Sequence, residues 1–318
     1  MIMAVYFISV LISLLPLGRV YQNLPEPGNL DCIECHGDLL KNNVIHPDLD
    51  SSCDICHFST GEDHPKENVR GFSLTENIPV LCFMCHSDFQ EQSESSDFIH
   101  GPVGSSPSCL NCHNPHSSEN TNLLKKETNN LCLGCHNRSL SGDSLRISNI
   151  QQKLTNAKSV HAPVEDGCTT CHNPHFSERR ALLIADFPDQ QYINAKKEDF
   201  DLCFICHDSD LFDAKDTETA TNFRNGAINL HYLHVNREKG RNCNMCHEIH
   251  GSLNDRLILD KLRFGNWEMK FRFNITENGG SCLTGCHSEK SYDRSISSEE
   301  IPPDQPKKIG RASCRERV

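Results

Sequence analysis

The chain has few of the residues from which a globular core is normally built. Only 36% of its 318 residues are hydrophobic, 7% are aromatic, there is one tryptophan, and the mean hydropathy is -0.52. Gly, Pro, Asn and Ser interrupt the sequence every few residues, which argues against long helices and strands. The composition therefore predicts a mostly irregular chain with short α-helices and little β structure, in which something other than side chains supplies the apolar interior.

Basic charge and long apolar segments are also scarce. Lys and Arg number 31 against 43 Asp and Glu, a net charge of -12, whereas a nucleic-acid-binding surface would be basic. The acidity is typical of solubility outside the cell. The apolar run Met1 to Leu17 is short for a membrane-spanning helix and resembles the hydrophobic part of a signal peptide, with a retained N-terminal anchor as the alternative. Either interpretation of residues 1–22 predicts export across the cytoplasmic membrane.

Cysteine and histidine are abundant instead. Nine motifs contain two cysteines, the second of which immediately precedes a histidine; eight read CxxCH and the ninth, CLTGCH, has one extra residue. In a helical turn, cysteines at i and i+3 share one face and the histidine follows them, which suits two thioether bonds to a haem and an imidazole on its iron. The cysteines are Cys32, Cys35, Cys53, Cys56, Cys82, Cys85, Cys109, Cys112, Cys132, Cys135, Cys168, Cys171, Cys203, Cys206, Cys243, Cys246, Cys282 and Cys286.

The histidines distinguish this interpretation from its alternatives. A zinc half-site or a redox CxxC pair needs no histidine after every second cysteine, and a disulfide framework needs none at all. The motif histidines, proximal to the predicted irons, are His36, His57, His86, His113, His136, His172, His207, His247 and His287. Nine others match them one for one: His46, His64, His100, His116, His161, His175, His231, His234 and His250. The sequence therefore predicts nine covalently attached haem c groups, each with two imidazole ligands.

The motifs form one solitary site, Cys32 to His36, followed by four paired units. The units run from His46 to His86, from His100 to His136, from His161 to His207, and from His231 or His234 to His287. Each has a leading histidine before its first motif and a second one after it. In the last three units the second one lies three residues beyond the proximal histidine, too near to cross to the other side of the same haem at about 3.6 Å per residue. We expect this histidine to bind a neighbouring haem. Of the two histidines in "LHYLH", one leads unit four, and we expect the other to serve the solitary site.

Two of these units resemble the doubled-CXXCH family of multihaem c-type cytochromes. The matching segments are "HAPVEDGCTTCHNPH", "ALL" and "LCFICH" in unit three, and "CLNCHNPH", "NLL" and "LCLGCH" in unit two. The resemblance covers about Cys32 to His287, with departures at "CHFST", at "CHEIH" and in the widened last motif. It implies extracytoplasmic electron transfer, in periplasmic carriers, in conduits through outer-membrane porins, or in polymerising surface cytochromes.

The predicted function is thus electron conduction along bis-histidine haems in the periplasm or at the cell surface. The expected partners are other redox proteins or extracellular electron acceptors, with an outer-membrane porin or further copies of the chain as possible associates. The alternative is an enzyme converting nitrite, hydroxylamine or tetrathionate, which needs an iron with an open position, often marked by a CxxCK motif that this chain lacks. A conductive filament subunit is a third possibility.

The regions around and between the motifs give weaker predictions. Residues 23–287 form the nine-haem domain, 288–307 a polar linker, and 308–318, "KIGRASCRERV" with Cys314, match the translation of a common sequencing adapter and are treated as an artefact. "ALLIADF" and "DRLILDKLRF" each predict one or two helical turns, and "KFRFNI" predicts a short strand.

Overall fold

The computed structural model describes residues 32–47, 52–141, 146–264 and 266–297. The predicted leader at 1–22, most of the predicted linker, and residues 308–318 with Cys314 lie outside these ranges. The chain divides into two compact units, Met1–Lys41 and Asn42–Val318. Within the described ranges, no helix is long and apolar enough to cross a membrane.

The helices of the described residues are all short, in keeping with the frequent Gly, Pro and Asn. The smaller unit contains α1 (Cys32–His36) and a 3-10 turn, Gly37–Leu40. The larger unit contains α2 (Val80–Phe83), α3 (Ser87–Ser95), α4 (Thr128–Leu133), α5 (Ile150–Asn156), α6 (Ala162–Asp166), α7 (Asp201–Phe204), α8 (Asp210–Asp213) and α9 (Leu230–Val235). Its 3-10 turns are Cys53–Ile55, Ser108–Asn111, Thr121–Leu123, Cys168–Thr170, Arg180–Leu182, Lys197–Phe200, Cys243–Met245 and Asp255–Leu257.

The strands are equally short and pair antiparallel. They are β1 (Val44–Ile45), β2 (His57–Ser59), β3 (Phe72–Leu74), β4 (Phe98–Ile99), β5 (Ser117–Ser118), β6 (Leu140–Ser141), β7 (Arg146–Ile147), β8 (Ser159–Val160), β9 (Phe176–Ser177), β10 (Tyr192–Ile193), β11 (Arg224–Asn225), β12 (Ile228–Asn229), β13 (Gly240–Arg241), β14 (Gly251–Ser252), β15 (Lys261–Phe264), β16 (Trp267–Lys270), β17 (Arg272–Ile275), β18 (Gly279–Leu283) and β19 (Lys290–Asp293). Only β17, β18 and β19 form a sheet of more than two strands among the described residues. The predicted fold class, irregular with short helices and little β structure, is confirmed.

The segment between the last two motifs differs from the sequence-based expectation. Of "DRLILDKLRF", Asp255–Leu257 forms a single turn, but the second half is β15, which pairs with β16. The alternation of exposed Lys261, buried Leu262 and exposed Arg263 explains this, because period two suits a strand. The strand predicted in "KFRFNI" is present as β17. The predicted start of the polar linker, residue 288, is too early, because residues 290–293 form β19, which pairs with β18.

Three two-stranded bridges join successive paired units. β1 pairs with β5, β4 with β9, and β8 with β14, so that a strand just before one unit's leading histidine meets a strand of the following unit. Each bridge ends in a hydrogen bond between two histidine backbones. The three donor and acceptor pairs are His46 N to His116 O at 3.0 Å, His100 N to His175 O at 2.9 Å, and His161 N to His250 O at 3.0 Å.

The buried apolar core of the described polypeptide is small. Its buried apolar side chains are Phe176, Phe200, Phe212, Met245, Ile258 and Leu262. Several apolar side chains inside the CxxCH motifs are exposed instead, including Met84 at 63% and Ile205 at 61%. Exposed apolar side chains inside four of the motifs fit a protein that packs around large apolar prosthetic groups.

Candidate haem-binding sites

Eight attachment motifs lie in single helical turns. In six of these turns, from the third motif to the eighth, the proximal histidine N–H returns to the carbonyl of the first cysteine, as in His113 N to Cys109 O at 3.0 Å and His207 N to Cys203 O at 2.9 Å. The two cysteines and the histidine therefore emerge together, as the spacing predicts. None of the eighteen cysteines of the described residues is in a disulfide, so each thiol can form a thioether bond. Among the described residues, no three His, Cys, Asp or Glu side chains are arranged to hold a free metal ion.

The ninth motif is built on a strand. Cys282 and Leu283 belong to β18, Thr284 is buried, and Gly285 has φ +76° before Cys286. A left-handed residue at this point absorbs the extra residue of CLTGCH, and glycine adopts that conformation without steric cost. A Cβ at Gly285 would lie 3.3 Å from Met269 Sδ, so the turn is also closely covered.

The imidazole rings form pairs, each joining one proximal histidine to one of the nine others. The ring centroids are 6.1 to 6.4 Å apart: His46 with His86, His57 with His116, His100 with His136, His113 with His175, His161 with His207, His172 with His250, and His231 with His247. Six pairs have planes within 20° of parallel, and the pair His46 and His86 is near perpendicular at 81°. A metal–imidazole bond is about 2.0 to 2.1 Å, which puts two axial rings on one metal about 6.4 Å apart. The pairs thus fit bis-histidine haem iron.

The pairing follows a rule. The leading histidine of each of the first three units faces the second proximal histidine of its own unit, as His100 faces His136. The histidine three residues beyond a proximal one faces the first proximal histidine of the preceding unit, as His175 faces His113. The structure therefore places these histidines beside neighbouring sites, as the short chain length requires.

The fourth unit departs from this rule. His231 and His234 both lie on α9; the His231 ring faces His247 at 6.4 Å. Burial lowers the pKa of His234, and the nearby His287 ring contributes to the lowering. His231 thus lies opposite a proximal histidine of its own unit, as expected of a leading histidine, and the assignment of His234 to this unit or to the solitary first motif stays a prediction. His64 lies edge-on to Phe72 at 5.2 Å.

A repeated turn orients the first proximal histidine of units two to four. The ring Nδ1 donates to a backbone carbonyl: His113 to Asn122 O at 2.8 Å, His172 to Ala181 O at 2.8 Å, and His247 to Arg256 O at 3.1 Å. Each carbonyl belongs to a residue with φ between 54° and 57°, followed by a leucine that is also left-handed. A donating Nδ1 fixes the tautomer that leaves Nε2 free for a metal.

One serine in each of these units closes the turn. The Oγ of each serine donates to the carbonyl six residues later and accepts the backbone N–H two residues later; the serines are Ser118, Ser177 and Ser252. For Ser177 the two distances are 2.7 Å to Leu183 O and 2.9 Å from Arg179 N. All three serines are buried. We did not predict these turns or serines from the sequence; the available signal is a serine two residues after the second histidine, followed by the "LL" or "LI" pair.

Burial keeps many of the rings neutral. It lowers the pKa of His231 to about 3 and lowers the pKa values of His116, His136, His161, His172, His175, His234 and His247. Neutral imidazole is the form that binds a metal. Burial thus favours, in these eight histidines, the protonation state that axial ligation needs.

The cysteines link successive motifs in chain order. Thiols of adjoining units lie close enough to interact: Cys109 raises the pKa of Cys82, Cys168 that of Cys132, and Cys203 that of Cys243. Within units, the second cysteines lie close enough to interact electrostatically: Cys56 with Cys85, Cys112 with Cys135, Cys171 with Cys206, and Cys246 with Cys286. From the second motif to the ninth, neighbours in sequence are thus neighbours in space.

Comparisons with known proteins agree with this geometry. The family model for the doubled CXXCH motif matches residues 100–140 and 161–212. The multiheme cytochrome MtrA of Shewanella baltica (strain OS185) is 28% identical over 209 residues, covering 58% of this chain and 54% of the relative, so the chain spans about half the length of the curated relative it matches. With the repeated motifs and imidazole pairs, these similarities support a multihaem c-type cytochrome of the doubled-CXXCH type, with covalently bound haem c and a role in electron transfer.

Proposed function

We propose that this chain conducts electrons along nine bis-histidine haem c groups held in a row outside the cytoplasm. The observation that carries the proposal is the set of seven imidazole pairs with centroids 6.1 to 6.4 Å apart. Bound haem c supplies a one-electron iron couple at each motif. Two protein imidazoles on one iron leave no position for a substrate, which favours electron transfer over catalysis.

The cysteine contacts support a linear route. From the second motif to the ninth, close approaches alternate between the second cysteines within a unit and the first cysteines of adjoining units, so these motifs follow one another in space. The short helices and strands hold these sites close together, with little polypeptide between them. Electrons can therefore pass stepwise along the chain direction.

The location and partners follow from the sequence and the family. The apolar start, the acidic balance and the covalent haem c motifs support export to the periplasm or cell surface. The similarity to a multiheme cytochrome supports exchange with other redox proteins or extracellular electron acceptors. An outer-membrane porin or further copies of this chain are the associates that the family suggests.

The test is spectroscopic, on protein produced with a haem c maturation system. We expect an intact mass nine haems above the processed polypeptide, an entirely low-spin paramagnetic resonance spectrum in the oxidised state, and no cyanide binding. His175→Ala is the positive control, because it removes the ring facing His113 and should create one high-spin, cyanide-binding iron. A high-spin, cyanide-binding iron in the unmodified protein would overturn the proposal and identify a candidate centre for nitrite, hydroxylamine or tetrathionate chemistry.

A further inference from the structure

The residue after the proximal histidine differs between otherwise equivalent units. In units two and three it is asparagine: Asn114 Oδ1 accepts the N–H of His116 at 3.1 Å, and Asn173 Oδ1 accepts that of His175 at 3.0 Å. In unit four the same position holds Glu248. A neutral amide is thus replaced by a carboxylate two residues before a histidine that faces a proximal ring.

Glu248 is placed between a cation and that histidine. Its carboxylate accepts from Lys153 Nζ at 2.7 Å and lies 3.8 Å from His250 Nδ1, which is beyond hydrogen-bond length but close for a charge interaction. The side chains of Lys153 and Glu248 are 33% and 21% exposed, so water screens these charges only partly.

The affected site is the sixth motif. The His250 ring stacks opposite His172 with centroids 6.2 Å apart and planes 6° from parallel. A carboxylate beside the outer nitrogen of a ligating imidazole raises the basicity of that ligand. Negative charge close to the iron also favours the oxidised state, which carries one more positive charge. Both effects lower the reduction potential, and Lys153 opposes them.

We propose that Glu248 is a positioning residue that lowers the reduction potential of the haem held by Cys168, Cys171 and His172, and that Lys153 limits this lowering. The inference rests on the proposed pairing of His172 with His250. It makes the sixth site electronically distinct from the second and fourth sites, whose facing histidines follow an asparagine.

The experiment measures midpoint potentials of the fully loaded protein in equilibrium redox titrations. Glu248→Gln should shift one of the nine haems upward, and Glu248→Asn, which restores the residue of units two and three, should do the same. Lys153→Gln should shift one haem downward. Lys158→Gln is the matched control and should leave all nine potentials unchanged. Lys158 pairs with Asp255 at 2.8 Å between neighbouring segments, but its side chain is 61% exposed.

Opposite shifts from the two charge removals separate tuning from structural damage, which would move both variants the same way. Asn173→Asp, which keeps an acceptor for the His175 N–H, gives an independent arm and should lower the potential of a different haem. Unchanged potentials in Glu248→Gln, or shifts of equal sign in Glu248→Gln and Lys153→Gln, overturn the inference about Glu248. If the spectra of the unmodified protein are low-spin, the proposed function still stands. A high-spin sixth iron in the unmodified protein overturns the ligand pairing itself.

Discussion

The backbone N–H of His100 donates to the carbonyl oxygen of His175 across the boundary between the second and third units, at 2.9 Å. The two rings face different sites of the second unit, His100 opposite His136 and His175 opposite His113. The two-residue bridge between β4 and β9 thus positions both histidines that face the proximal rings of the second unit, although β9 belongs to the third unit. The same arrangement recurs at the other two bridges.

Removing the serine that closes a repeated turn should destabilise the protein. Ser177 is buried and makes two hydrogen bonds, so Ser177→Ala leaves a carbonyl and an N–H without their partner and should cost about 1–3 kcal/mol. Chemical denaturation of the haem-loaded protein measures the change. Ser95→Ala removes an exposed bond to Gln92 O and should stay within about 0.5 kcal/mol. Equal midpoints for the two variants would contradict the role of the turn.

The left-handed residue whose carbonyl orients His172 should discriminate between substitutions. Ala181 has φ +56°, which a β-branched side chain tolerates poorly, so Ala181→Val should destabilise the protein by about 1–3 kcal/mol. Ala181→Gly fits the same conformation and should match or exceed the stability of the unmodified chain. Thermal or denaturant unfolding followed at the haem absorbance decides between them. A Val variant as stable as the Gly variant would show that the turn is not strained.

Each histidine of α9 should serve one iron of the fourth unit. His231→Ala should leave the iron at His247 with one imidazole, and His234→Ala the iron at His287, so each variant gains one high-spin signal and the double variant gains two. Tyr232→Phe, on the same helix, is the control and should stay low-spin. Loss of ligation at the solitary first motif in either variant would restore the sequence-based assignment.

Haem attachment at the ninth motif should depend on Gly285. An alanine there must adopt φ +76° and place a Cβ 3.3 Å from Met269 Sδ, so Gly285→Ala should lower the intact mass by one haem. Gly61→Ala is the control: Gly61 has φ +80°, but its Cβ would meet open space, so nine haems should be retained. A Gly285→Ala protein that carries all nine haems would show that haem attachment at the ninth motif does not depend on glycine at this position.

Local chemistry made part of this architecture predictable. CxxCH spacing fixes a helical turn, and three residues of chain cannot carry His175 around a macrocycle to the far side of its own site, so its placement beside a neighbour follows from covalent geometry. Composition likewise excluded a large side-chain core. The choice of neighbour was not predictable, because it depends on bridges such as β4 with β9, whose two-residue strands have no periodicity to detect.

The ligand assignment of the fourth unit was not predictable for a related reason. Its "LHYLH" segment offers two histidines, and sequence spacing alone gives no reason for both to remain in that unit. The structure places both on α9, where positions three apart share a face. Glu248 was visible as a departure from the family pattern, but its meaning required the positions of Lys153 and His250, which are distant from each other in sequence.

The bridges also imply an order in which the imidazole pairs form. Because the ring that faces His113 comes from the following unit, the first proximal histidine of each earlier paired unit gains its partner only once the next stretch of chain has docked. On the proposed export and haem attachment, ligand pairs would therefore be completed from the N-terminal side towards the C-terminal side, one unit behind the emerging chain. The fourth unit ends this sequence of dependence, because His231 of α9 faces His247 of the same unit.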